Sequence, residues 1–196
     1  MDSRLAILPT ARKVEEELKR LSRDGCVIGH RLMTFPQLID ALWRECGSSL
    51  SIIDPIGEQV ALDEAIRRAA AKGVAIVPSR GLAGCFRGLI RQLKSAALTP
   101  GDLLEAAGAL PSSAQPRVMM AAAVFAAYED LLREQGLADP HDRERLVLAA
   151  LHQSEHSGRP PRTLAGVSHL LVAEIYDLSL LQFMIVTSLI RLIGDA

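Results

Sequence analysis

Apolar residues follow two different patterns along this chain, and the pattern changes twice. RLAILP (residues 4–9) is a short apolar run of strand length. The following ARKVEEELKRLSRDG repeats apolar residues at Val14, Leu18 and Leu21, the spacing of one helix face, with Gly25 as a stop. CVIGHRLMT is again strand-like. Thr34 is placed to cap the helix FPQLIDALWREC, with Pro36 in the first turn, where its missing N–H costs little. Strands alternating with helices predict a parallel α/β sheet.

From about Ile56 to His156 the strand pattern disappears. Ala-rich segments with helical periodicity take over: EQVALDEAIRRAAAKG, RGLAGCFRGLIRQLKSA, TPGDLLEAAGA, QPRVMMAAAVFAAYEDLLREQG and PHDRERLVLAALHQ. Thr99-Pro100 opens one of these helices, Gly136 closes another and Asp139-Pro140 starts the last. After the loop SGRPPRTLAG, VSHLLVAEI returns to a buried strand with a nearly continuous apolar run, and SLLQFMIVTSLIRLIG reads as a helix. The expected organisation is an α/β layer built from residues 1–55 and 160–196, with an all-helical insertion over 56–159.

Composition adds boundaries to this picture. The 196 residues are 49% hydrophobic but only 4% aromatic, so Leu, Ala, Val and Ile must fill the core. The apolar run at Leu5–Pro9 is too short for a secretory signal, so a cytoplasmic location is expected. The most apolar window, 170–193, contains Glu174, Asp177, Gln182 and Arg191, so no membrane partner is expected. Cys26, Cys46 and Cys85 form no Cys-x-x-Cys pair and are expected to be free, mostly buried thiols. No metal site is expected. His152 and His156 are four apart, but no carboxylate-rich partner motif follows them, and a solvated pair is the simpler reading.

The net charge of −1 hides a segregation. Residues 61–100 carry seven cations (Arg67, Arg68, Lys72, Arg80, Arg87, Arg91, Lys94) against two acids, whereas 101–150 carry eight acids against four cations. This describes either two solvated faces of opposite sign or a basic flank that meets phosphates. The glycines at Gly81 and Gly84 read as a simple helix start, and Cys85 reads as core.

Chemistry is concentrated in HLLVAEIYDLSLLQF (169–183). In P-loop NTPases an apolar strand ending in Asp-Glu puts one carboxylate on the Mg²⁺ hydration shell and the other beside the attacking water. Here Ala173 stands at the first position and Glu174 at the second. The Gly-x-x-x-x-Gly-Lys-Ser/Thr cradle is also missing, since LPTARKVEEE after the first strand has no glycine. ATP and Mg²⁺ are therefore not expected as cofactors, and no catalytic residue is assigned.

The same segment resembles the Walker B stretch of UvrD/Rep-like superfamily 1 helicases, hLLVDEfQDt…Q, with Glu174, Asp177 and Gln182 matching and Ala173 and Tyr176 departing. Other stretches resemble that family in the same order. RLAILPTARKVEEELKRL is similar to its motif Ia unit, RLMTFPQLIDALW to its TF-x-x-L segment, and FRGLIRQLKSAALTPGDLL with FAAYEDLLREQGLADPHDRERL to its inserted helical subdomain (Tyr128, Leu132, Gly136, Leu137, Asp139). Within the family the resemblance is to AddB-type subunits of bacterial helicase-nucleases. It implies a degenerate helicase 1A-like sheet with a 1B-like insertion, acting in DNA repair or recombination beside a nuclease. The implied partners are DNA and a partner helicase-nuclease subunit. The implied DNA contacts are Thr10, Arg12, Lys13, Thr34 and Phe35 along the single-strand channel, joined by Arg87, Arg91 and Lys94 of the basic run. Two other readings stay open: an active ATP-dependent helicase fragment, and a helical protein-interaction module that does not bind DNA.

Overall fold

The structure is a computed structural model that describes residues 3–23, 29–46, 49–79 and 81–194. The expected stop at Gly25, Cys26 and Arg80 lie outside the described residues. The elements run β1 (Ser3–Leu8), α1 (Ala11–Arg23), β2 (His30–Thr34), α2 (Phe35–Glu45), β3 (Ser51–Ile52), α3 (Pro55–Ala71), α4 (Leu82–Ser95), α5 (Pro100–Gly108), α6 (Gln115–Glu134), β4 (Leu137–Ala138), α7 (Pro140–Ser157), a 3-10 turn at Arg162–Leu164, β5 (Val167–Val172) and α8 (Leu180–Gly194). The protein is thus mixed α/β and mostly helical. It divides into an α/β unit of residues 1–48 and 144–196 and a helical unit of residues 49–143. No helix among the described residues is long and apolar enough to cross a membrane.

In the α/β unit the sheet order is β2-β1-β5, with both pairings parallel. Leu5 pairs with Arg31 on one side and Leu170 on the other, and Ile7 with Met33 and Val172. Because β1 is central, Leu5, Ala6, Ile7 and Leu8 are all buried, which explains its unbroken apolar run. Leu5 and Ile7 join one core with Leu38, Ile39 and Leu42 of α2, Val147, Leu148 and Leu151 of α7, and Leu181, Ile185 and Leu189 of α8. Alternation turns Ala6 and Leu8 to the opposite face; α1, which buries Val14, packs against β1 and β2. The participation of α7 in this core explains why the unit resumes at residue 144 and not at 160.

The loop before β5 is held from two sides. The Arg31 guanidinium on β2 donates to the carbonyl oxygens of Thr163 and of Ala165 (3.0 Å). The Glu45 carboxylate at the end of α2 accepts from the backbone N–H groups of Arg162 (2.5 Å) and Thr163 (2.8 Å), and from the Thr163 hydroxyl. These bonds fix where the chain re-enters the sheet. One expectation fails at β5: it is an edge strand with Ser168, His169 and Leu171 exposed, so its apolar run does not mean burial on both faces.

The helical unit is built around α3, α4 and α6, whose Leu62, Ile66, Phe86, Ile90, Phe125, Tyr128 and Leu132 form a second core. It is not all-helical, because β3 and β4 make a two-residue parallel pair, Ser51 with Leu137 and Ile52 with Ala138. Three helix starts follow local chemistry. Thr34 and Gln37 form a reciprocal capping box on α2, Asp54 accepts from the N–H groups of Ile56 and Gly57, and Thr99 and Asp102 repeat the box on α5. Gly136, at φ 64°, closes α6 in the left-handed conformation.

Lys94 is the electrostatic centre of this unit. Its side chain is buried, and its ammonium lies 2.7 Å from Asp139, 2.8 Å from Asp142 and 2.5 Å from Glu129. It also sits 5.3 Å from the centre of the Tyr128 ring and 5.8 Å from that of Phe125. Asp139 also caps α7, accepting from the N–H groups of His141 (2.8 Å) and Asp142 (2.9 Å). Burial opposes the charge on Lys94, but the three carboxylates outweigh it, and its pKa is raised. Burial, followed by repulsion from Asp142 and Asp139, raises the pKa of Glu129 although Lys94 pulls it down.

Lys94→Met removes the buried ammonium from among these three carboxylates and should destabilise the protein by about 3–5 kcal/mol in urea denaturation, whereas Glu129→Gln should stay within about 1 kcal/mol of wild type at neutral pH. The sign with pH differs for the two groups. The Lys94 contribution is complete below its unfolded value of 10.5 and is lost as pH climbs past that value through the raised folded one. Glu129, raised from 4.5, binds its proton more tightly when folded, so its contribution falls as pH rises above 4.5; Glu129→Gln should flatten that part of the stability profile.

Candidate functional site

The ends of β1 and β5 meet at the carboxyl edge of the three-stranded sheet, and the Ala173 N–H extends the pairing by donating to the Ile7 carbonyl at 3.1 Å. Beyond β1, Thr10 opens α1: its carbonyl accepts from the Val14 N–H (3.1 Å) and its hydroxyl from the Lys13 N–H (3.2 Å). Beyond β5, Glu174 adopts φ 57°, a left-handed conformation that a side-chain-bearing residue seldom takes. The two segments are joined by an ion pair, Lys13 Nζ to Glu174 Oε2 at 3.2 Å, with both side chains about half exposed. Glu174 is thus engaged by a cation from the first turn of α1.

The remaining residues of the Walker B-like stretch go elsewhere. Gln182 is the third residue of a capping box on α8: its Oε1 accepts from the Ser179 N–H (3.3 Å), and its own N–H donates to the Ser179 hydroxyl (3.2 Å). Asp177 is exposed, and Tyr176 beside it is 93% exposed. Ala173 provides no ligand atom. Arg12 is exposed and pairs with Glu16 one turn on (2.9 Å).

Thr34 and Phe35 are internal. Thr34 is spent on its capping box and Phe35 lies in the core of the α/β unit, so both side chains are buried. In the helical unit, Arg87 (3.3 Å) and Arg91 (2.7 Å) both bind the buried Glu58 carboxylate, and Lys94 is enclosed by carboxylates. Lys94 must therefore be removed from any basic surface, because burial and three acids leave it no charge to offer outside. Arg67 pairs with Glu64, and Arg68 with Glu64 and Glu134. Most cations of the basic segment thus meet carboxylates of the same unit, with Lys94 buried and Arg67 and Arg91 still partly solvated.

Glu129, Asp139 and Asp142 bring oxygens within 4.8 Å of one another, a spacing that suits a cation, and Lys94 Nζ occupies that place. The sequence hides this site because Lys94 and its acids are contributed by α4, α6 and the start of α7. The local signal was Asp139-Pro140-x-Asp142, a cap whose acids do a second job. His152 and His156 do not form a ligand pair, since His156 Nδ1 lies 2.6 Å from the His152 carbonyl oxygen. Cys85 is exposed, contrary to its reading as core, and Cys46 is half-buried with its thiol pKa raised by burial and by Glu45.

No protein-family model matches the chain, and no curated protein matches it.

The backbone at Glu174 yields a direct test. Glu174→Ala and Glu174→Gly lose the same ion pair, but only glycine takes φ 57° without cost. The glycine variant should be more stable than the alanine variant by about 1 kcal/mol in urea denaturation, while the pair itself should account for less than about 1 kcal/mol.

Proposed function

We propose that this chain is a helicase-like, ATPase-inactive arm of a DNA repair or recombination helicase-nuclease, an AddB-like part that binds DNA or scaffolds a nuclease. Its own residues break no bond. The observation that carries the reading is the parallel β2-β1-β5 order, which gathers the motif Ia-like and Walker B-like segments at one carboxyl edge. Open parallel sheets take their ligands at that edge. Within this reading Thr10, Arg12 and Lys13 are the residues that meet phosphate, at the start of α1, where backbone N–H groups and cations favour an anion. Ala173 in place of an acid, and Glu174 paired with Lys13, support a site without metal-assisted hydrolysis.

A specific observation favours a second reading, a protein-interaction module without DNA binding. Arg67, Arg68, Arg87, Arg91 and Lys94 are held by the unit's own carboxylates, and Thr34 and Phe35 are internal.

Fluorescence anisotropy with single-stranded and forked DNA over a salt series separates the two. The first reading expects binding that weakens with salt, and a salt slope reduced by about two in Arg12→Glu/Lys13→Glu. The second expects no binding below about 10 µM at low salt. For either reading, Mg-ATP should leave the melting temperature unchanged; an active ATPase would gain about 2.7 kcal/mol at a hundredfold excess over its dissociation constant.

A further inference from the structure

The turn that follows α3 and the outer faces of α5 and α6 border a groove of about 620 Å³ in the helical unit. Val74, Leu104, Met119 and Met120 line it, and Lys72 and Arg117 stand on its rim. Leu104 and Met119 are each more than half exposed, although this unit buries a substantial core elsewhere. Among the described residues, no carboxylate and no aromatic ring lines the groove.

The two rim cations are unusual in their surroundings. The other described lysines and arginines of this unit have partners: Arg67, Arg68, Arg87, Arg91, Lys94 and Arg133 sit on carboxylates, and Arg143 is also engaged. Among the described lysines and arginines of the unit, Lys72 and Arg117 alone make neither an ion pair nor a side-chain hydrogen bond. Both border the same apolar surface.

We infer that this groove docks an acidic amphipathic peptide segment of another protein, its apolar side chains on Leu104 and Met119 and its carboxylates on Lys72 and Arg117. Two adjacent methionines suit such a surface, because an unbranched thioether side chain adapts to different apolar anchors. A helix laid in an apolar groove presents anchors at i, i+3, i+4 and i+7 and leaves its flanks free for charge. Nucleic acid fits poorly: phosphates could reach the two cations, but the bases would meet no ring to stack on. The inference goes beyond the function proposed above and holds whether or not the sheet edge binds DNA.

The test uses the full chain and fluorescein-labelled peptides about four helical turns long. They carry Leu, Ile, Phe or Met at the four anchor positions and Glu elsewhere, with a matched series carrying Lys in place of Glu. By anisotropy, at least one acidic peptide should bind saturably at about 10–100 µM, as suits a small open groove. Lys72→Glu/Arg117→Glu should weaken it at least fivefold and favour the basic series instead, and Met119→Glu should also weaken it. All three positions are exposed, and circular dichroism checks that the variants stay folded. Failure of every acidic peptide to saturate, equal binding of the basic series to wild type, or indifference to the charge reversal overturns the inference. So does displacement of the peptide by a single-stranded oligonucleotide, which would assign the groove to nucleic acid. DNA binding lost in Arg12→Glu/Lys13→Glu with peptide binding intact keeps the two proposals separate.

Discussion

The α/β unit depends on the pairing of β1 with two strands from opposite ends of the chain. Leu5, Ala6, Ile7 and Leu8 can be buried on both faces only because β2 flanks β1 on one side and β5 on the other. The apolar core beneath the sheet is then completed by helices from both segments, α2 from the first and α7 and α8 from the second. Arg31 and Glu45 reinforce this by holding the loop before β5 through its backbone, so the returning chain reaches β1 in register. The juxtaposition of Lys13 with Glu174 follows from the same pairing, since neither residue would approach the other without it.

Electrostatics plays the corresponding part in the helical unit. Segments of opposite charge that are separated in sequence satisfy each other, with Glu58 taking two arginines and Lys94 taking three acids. Asp139 links the two kinds of order, because one carboxylate both starts α7 and neutralises the buried ammonium. Such a cluster tolerates the loss of one acid better than the loss of Lys94, the ammonium that all three acids share. Within the cation pattern that suggests a phosphate-binding flank, Lys94 is buried and Arg67, Arg68, Arg87 and Arg91 sit on the unit's own carboxylates.

What could be read from the sequence was local. Thr34, Thr99, Asp139 and Gly136 mark helix ends by groups acting within three or four residues, and each does so in the structure. The β1 strand was equally legible, and so was the parallel sheet. The misreadings share one cause, which is that burial depends on distant neighbours. VSHLLV reads as buried from its composition, yet it lies at a sheet edge and leaves Leu171 exposed. Cys85 lies on a helix with an apolar face but turns away from it. The β3–β4 pair joins Ser51 to Leu137 through two residues each, too short to register in any periodicity. At the candidate site, the types of residue at Glu174 and Lys13 were visible, but their ion pair and the left-handed backbone were not.

The discontinuity of the α/β unit has a kinetic consequence. Residues 49–143 form their core from one uninterrupted stretch, whereas β1 must wait for β5, made more than 150 residues later. Closing so long a loop costs entropy that grows only with the logarithm of its length, but the contact is among the most non-local the chain possesses. A ribosome would release the helical unit complete while β1 and β2 still formed a two-stranded fragment with one side of β1 open. During synthesis the inserted segment matures first, and the sheet that surrounds it in sequence closes last.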